Sequence, residues 1–204
     1  MATRNNAFAE IVRFWLCERH GYLTMESVPV EVKGPHSDID IVALHPSDRA
    51  QEVQVGGRVV ELPPRLAVEC KGEYDFEPSA NELTRSLVND LQMAAEHGGE
   101  VEAGTKRRFS LLRSEHGERA RAILGGGPIG RLIVLHNLDT KASSGLDSLC
   151  RQCNVSVLTI REIVDDLIAW VGKHPRPASL RMTWTGEFFH LLFNFCLKGR
   201  LSEN

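Results

Sequence analysis

Two short apolar stretches carry ionisable residues that such stretches normally exclude. In Leu66-Ala67-Val68-Glu69-Cys70-Lys71, a strand period of two puts Leu66, Val68 and Cys70 on one face and Ala67, Glu69 and Lys71 on the other. Glu69 and Lys71 therefore point the same way. In Ile39-Asp40-Ile41-Val42-Ala43-Leu44 the same period aligns Asp40 with Val42 and Leu44. A carboxylate at the head of an otherwise apolar face is costly unless it is paired or metal-bound. Two carboxylates and an ammonium converging from neighbouring strands make a hydrolytic site. Hard oxygen donors suit Mg²⁺, with Mn²⁺ as substitute, and leave coordination positions for water and phosphate oxygens. The ammonium would position the attacking water or offset the developing charge. This chain uses arginine far more often than lysine, and a compact ammonium fits beside a metal-bound water where a wide guanidinium does not.

A bare Glu-x-Lys is also what a solvent-facing antiparallel strand with cross-strand ion pairs produces, and the chain contains a second copy, Glu31-Val32-Lys33. Context separates the two, because only the Glu69 copy follows a strand that carries an aspartate. The elements needed to bring Asp40, Glu69 and Lys71 together are legible. Ala7 to His20 places Phe8, Ile11, Val12, Trp15 and Leu16 at helical spacing, includes Glu10, and stops at Gly21. Val28 to Lys33 and Ile39 to Leu44 read as adjacent strands punctuated by Gly34-Pro35, Gln51 to Leu62 as a hairpin turning at Gly56-Gly57, and Leu66 to Lys71 as a further strand after Pro63-Pro64. The second half alternates helices and strands. Its helix starts are announced by Ser/Thr-x-x-Glu/Asp boxes at Ser79 to Glu82, Ser144 to Asp147 and Thr159 to Glu162. Leu83, Leu87, Leu91 and Ala94 form one apolar stripe closed by Gly98-Gly99, and Leu132 to His136 and Val155 to Thr159 are short strands. This pattern predicts an α/β (α+β) fold, a sheet with helices on its faces. Lys173 to Pro177 reads as a linker to a C-terminal helix around Glu187 to Leu197.

The order of a helix with Glu10, a strand with Asp40, a strand with Glu69-x-Lys71 and a capped amphipathic helix resembles the core of the PD-(D/E)XK, or restriction-endonuclease-like, nuclease superfamily. Ser37-Asp38-Ile39-Asp40-Ile41-Val42-Ala43-Leu44 followed by Leu66-Ala67-Val68-Glu69-Cys70-Lys71-Gly72-Glu73 is similar to the signature of Mrr-type endonucleases and archaeal Holliday-junction resolvases. The resemblance covers roughly Ala7 to Val171, its sharp motifs are the two strands, and no proline precedes Asp40. It implies a restriction-endonuclease-like mixed central sheet flanked by helices over residues 1–172, followed by a linker and helical extension over 173–204. It also implies a Mg²⁺-dependent endonuclease that hydrolyses DNA phosphodiester bonds in restriction, repair, recombination or mobile-element defence. Asp40 and Glu69 would be metal ligands with the main-chain carbonyl of Cys70 as a third, Lys71 would be catalytic, and Glu10 matches the first-helix carboxylate that some members add. Asp38 rivals Asp40, and same-face spacing does not separate them. The resemblance favours Asp40, because the family's aspartate directly precedes an apolar pair and a small residue.

Other groups define the partners and the rival readings. Lys106, Arg107, Arg108, Arg113, Arg119 and Arg121 crowd a segment at about 104–124, the densest positive cluster in a chain of net charge -3, and the expected surface for a nucleic-acid backbone. Cys150-x-x-Cys153 has no second pair of ligands at zinc spacing and precedes a strand, so core thiols are expected. Gly125-Gly126-Gly127-Pro128-Ile129-Gly130 lacks the Lys-Ser/Thr of a phosphate loop and reads as a helix stop. Gln92 could reach a phosphate but reads as solvent-facing. Phe188, Leu192 and Phe195 stripe the last helix, beside Phe189 and Phe193, so that helix packs on the core or joins a homodimer. The odd count of five cysteines argues for reduced thiols, and the lack of a long apolar run or a signal-like start predicts a cytoplasmic protein that does not engage membranes. The rival readings are a binding module that keeps the fold without cutting, and a redox protein built on Cys150 and Cys153.

Overall fold

The computed structural model describes residues 6–31, 37–72, 79–102, 105, 107–173 and 184–191. In chain order these form α1 (Asn6–Phe14), β1 (Leu23–Val30), β2 (Ser37–Leu44), β3 (Gln51–Val55), β4 (Arg58–Leu62), β5 (Arg65–Lys71), α2 (Ala80–Glu96), α3 (Ser114–Ile123), β6 (Gly130–Leu135), α4 (Leu146–Cys153), β7 (Val155–Thr159), α5 (Ile160–Lys173) and α6 (Trp184–Leu191). Five strands make one mixed sheet in the order β1-β2-β5-β6-β7. The first three are antiparallel neighbours, and β5, β6 and β7 run parallel. The expected α/β architecture is therefore present, a mixed sheet with helices on its faces. No helix among the described residues is long and apolar enough to cross a membrane.

The central strands are aliphatic on both sides because both faces are covered. Ile41, Ala43, Leu66, Val68, Cys70, Leu132, Val134 and Leu158 pack with α1, α5, Phe189 of α6 and the β3-β4 hairpin. Val42, Ala67, Ile133, Leu135, Val155 and Val157 pack with α2, α3 and α4. Gly56 and Gly57 turn the hairpin with positive φ, as expected, and Tyr22 Oη donates to the Leu62 and Pro63 carbonyls where β4 ends.

Several boundaries differ from the sequence reading. The first strand begins at Leu23 rather than Val28: Leu23–Glu26 pair with Leu44–Ile41, and Leu23 and Met25, which alternate with Thr24 and Glu26, stay exposed on this edge strand rather than entering the core. Lys33 and the Gly34-Pro35 pair lie outside the described residues. The first helix continues past Phe14 as a wide π turn, Trp15–Arg19. That turn lets consecutive Trp15 and Leu16 both be fully buried, with the Trp15 indole donating to Asp166 of α5 at 2.9 Å. Capping boxes close at Ser79–Glu82 and Thr159–Glu162, but not at Ser144–Asp147. There Gly145, at φ 78°, takes the cap position of α4 and no side chain caps the helix. α6 starts at Trp184, earlier than the expected Glu187, and stacks Phe189 on Phe14. Residues 174–183, which hold most of the proposed linker, and residues 192–204, with Leu192, Phe193, Phe195 and Cys196, lie outside the described residues.

One irregularity sits beside the predicted site. Ile39 packs in the α2-α3 core and Ile41 in the α1-α5 core, although residues two apart in a regular strand share a face. On β1, Ser27 has a φ of 49° and is skipped in a register that would place it opposite Asp40. Both strands change face at this point, so Asp40 does not continue the Val42-Leu44 face as a regular strand would. β1 is also an edge of the sheet. Its Pro29 has no N–H to offer, and the Pro29 carbonyl accepts Arg119 Nε of α3 at 3.0 Å.

Candidate active site

Glu69 and Lys71 share a face of β5, and their side chains form an ion pair with Nζ 2.9 Å from Glu69 Oε1. The period-two reading of this strand therefore holds. Glu69 is buried, and its remaining partners come from a 3-10 turn at Ser110–Leu112. Ser110 N and Oγ donate to Oε1 at 3.2 and 3.0 Å, and Leu111 N donates to Oε2 at 2.9 Å. Burial raises the Glu69 pKa, but the Lys71 charge, the Leu111 N–H and the bonds from Lys71 and Ser110 outweigh it, and the net shift is downward. Glu69 is a carboxylate held ionised inside the fold.

Asp40 reaches the same place from β2. The β2-β5 ladder ends at Ile41↔Val68, and in its place the Asp40 carboxylate accepts the Cys70 N–H at 2.7 Å. Burial pushes the Asp40 pKa up to about 6; the Cys70 bond opposes this, Glu69 adds to it, Lys71 opposes and Asp38 adds. The Lys71 carbonyl accepts from His136 on the β6 side, so Cys70, one residue earlier, turns its N–H and C=O toward β2. Asp40 is thus held on the N–H of Cys70, the neighbour of Glu69 on β5, and within reach of the Glu69 charge, while the Cys70 carbonyl faces β2. Asp38 is exposed and opposite Pro29, so Asp40 is the aspartate set against β5. Glu10 has other partners: Arg13 at 2.8 and 2.6 Å, and Thr185 Oγ1 of α6 at 3.2 Å.

The donor set of Asp40, Glu69 and a main-chain carbonyl is all oxygen, the chemistry a hard cation takes. Among the described residues no three His, Cys, Asp or Glu side chains cluster as metal ligands. A divalent cation here would rest on two carboxylates and the carbonyl, competing with Ser110 and Lys71 for Glu69 Oε1.

Three features of the site carried no sequence signal. The Ser110–Leu112 turn follows the basic stretch, and Asp90 of α2 holds that stretch by accepting Phe109 N at 3.1 Å with Arg107 Nη1 at 3.7 Å. His116 of α3 is fully buried, 2.8 Å from Ser37 Oγ at the start of β2 through Nε2, while its Nδ1 has no hydrogen-bond partner among the described residues. Burial lowers the His116 pKa; Glu69 opposes this and Arg113 adds to it. Contacts this distant in sequence leave no periodicity to read.

The basic stretch is partly consumed by the fold. Arg107 is occupied by Asp90 and Met93, Arg113 Nη2 donates to the Arg107 carbonyl at 3.0 Å, and Arg121 pairs with Glu100 at 3.3 Å. Arg108 is exposed, and Lys106 lies outside the described residues. Gln92 is exposed on α2. Cys150 and Cys153 end α4 as free thiols. Burial first, then Asp147, pushes Cys150 up to about 12, and burial raises Cys153, the opposite of what a reactive thiol needs. A separate groove of about 760 Å³ lies along β7 between β4 and α4, away from Asp40 and Glu69. No protein-family model matches the chain, and neither a curated protein nor a solved structure matches it.

Proposed function

We propose that the chain is a Mg²⁺-dependent deoxyribonuclease on a restriction-endonuclease-like fold, hydrolysing phosphodiester bonds within DNA. The observation that carries the reading is the convergence of buried Glu69, paired with half-buried Lys71, and Asp40 on Cys70, from adjacent strands of a mixed sheet. Asp40, Glu69 and the Cys70 carbonyl would hold Mg²⁺, or Mn²⁺ in its stead. The bound ion supplies Lewis-acid stabilisation of phosphate charge and a more acidic water. Lys71 Nζ, fixed by Glu69, orients the attacking water and offsets negative charge at phosphate. Exposed Arg108 and its neighbours approach the DNA backbone, and the exposed ring of Phe188 on α6 offers a homodimer contact.

A second reading, a fold that binds nucleic acid without cutting it, draws on one observation: Glu69 Oε1 already takes Ser110 N, Ser110 Oγ and Lys71 Nζ, while Oε2 takes Leu111 N, so a cation would have to displace donors at Oε1. Incubation with supercoiled plasmid, linear duplex, single strand and four-way junction, each with Mg²⁺, Mn²⁺ or EDTA, separates the two. Metal-dependent nicking that disappears in Asp40→Asn supports the enzyme. Binding without nicking in every metal supports the module.

A further inference from the structure

Past Ile41↔Val68 no backbone ladder joins β2 to β5, yet this is where Asp40 and Glu69 must stay opposed. Among the described residues, the start of β2 is paired in the sheet with β1 alone, through Val28↔Ile39, Pro29↔Asp38 and Val30↔Ser37. On its other side stands α3. The stretch Phe109–His116 touches each part of the site in turn: Phe109 N on Asp90, Ser110 and Leu111 on Glu69, and His116 on Ser37. Ser110 and Leu111 therefore hold β5 and His116 holds β2, the two strands whose own ladder has stopped.

We infer that His116 is a positioning residue: through Ser37 it holds the Asp40 strand in register with Glu69, and the stretch Phe109–His116 is the brace that replaces the missing ladder. His116 touches neither carboxylate through a hydrogen bond of its own, so it acts through β2. Its complete burial fixes the imidazole, and the single bond to Ser37 Oγ transmits that position to the strand. The brace stands on the hydrogen bonds alone; its consequence for cation binding rests on the nuclease reading.

The test measures amide exchange at Cys70 and Leu111 in metal-free protein, and calorimetric Mn²⁺ binding, in wild type, Ser37→Ala, His116→Gln, His116→Leu and the Ser37→Ala/His116→Leu double variant. Ser37→Ala and His116→Leu should each speed exchange at Cys70 about tenfold or more, as a local opening does. The double variant should be no faster than either single one, and His116→Gln, which keeps a donor near Nε2, should restore protection. Mn²⁺ affinity should fall about 10- to 100-fold in the same variants, the usual loss when a residue orienting a ligand is removed. Unchanged Cys70 exchange in Ser37→Ala overturns the brace, and that variant leaves the helix intact if His116→Leu fails to fold. Faster exchange with wild-type Mn²⁺ affinity overturns the positioning role. Should wild type bind no Mn²⁺, the nuclease reading falls and the exchange measurements alone decide the brace.

Discussion

Asp40 and Glu69 sit one strand apart and respond to the fold with opposite sign. The folded pKa of Asp40 is raised from 3.8 to about 6, so the folded protein binds a proton more tightly than the unfolded chain. Stability is undiminished below about 4 and declines as pH rises through 6, a cost of about 3 kcal/mol at neutral pH in metal-free protein. Asp40→Asn should raise the urea midpoint at pH 7.5 and leave it unchanged at pH 4, while abolishing cleavage; equal gains at both values would contradict the burial argument. Glu69, with its lowered pKa, stabilises above the ordinary carboxylate range and loses that contribution as pH falls through its own value. Glu69→Ala should destabilise by roughly 2–5 kcal/mol, because Ser110 and Leu111 amides lose their acceptor. The two carboxylates are alike in sequence, and the Lys71 ion pair and the Ser110–Leu111 donors on Glu69 separate them. Lys71→Met should retain Mn²⁺ binding by calorimetry and lower the cleavage rate by about 10²-fold or more. An equal loss of DNA affinity would recast the lysine as a phosphate contact.

At the scale of elements, the described residues of the basic stretch divide into those that build and Arg108, whose side chain is exposed. Charge reversal at Arg107 exposes buried Asp90 to repulsion and should cost about 1–3 kcal/mol in urea unfolding. Arg108→Glu should leave stability within about 0.5 kcal/mol, yet lower DNA affinity and flatten its salt dependence. An unaltered salt slope would place DNA elsewhere. The strands, the hairpin and two of the capping boxes were legible because period, Gly-Gly and Ser/Thr-x-x-Glu are local signals. The face change at Ser27 and Asp40 was not, since a positive φ at a serine has no sequence signature. The grip of Ser110 on Glu69 spans 41 residues of chain, and nothing in the residues around His116 distinguishes a buried imidazole from an exposed one. Glu10 was placed by analogy of order; its bond to Arg13 lies within the first helix, and its bond to Thr185 depends on an α6 that order does not locate.

For the whole molecule, the ends of the sheet differ. The β3-β4 hairpin stands beside β7, and Arg58 Nη2 donates to the Val157 carbonyl at 2.6 Å, so that margin is partly occupied by the chain itself. On the α6 side, if Phe188 joins two copies, Phe188→Asp should halve the mass seen by sedimentation equilibrium while leaving the thermal midpoint nearly unchanged; a wild-type protein that sediments as a monomer removes that contact from consideration. Among the described residues, the β1 margin is guarded by Pro29 and Arg119, next to exposed Leu23 and Met25. Such a margin can template the addition of further strands from other molecules. Arg119→Glu, which frees the Pro29 carbonyl, should therefore turn a clear concentrated solution turbid on storage, with thioflavin-positive material growing over days. Met25→Lys in the same background should keep it clear by placing a charge where a new strand would dock. The long-term colloidal behaviour of this protein would then hang on one guanidinium at the margin of its sheet.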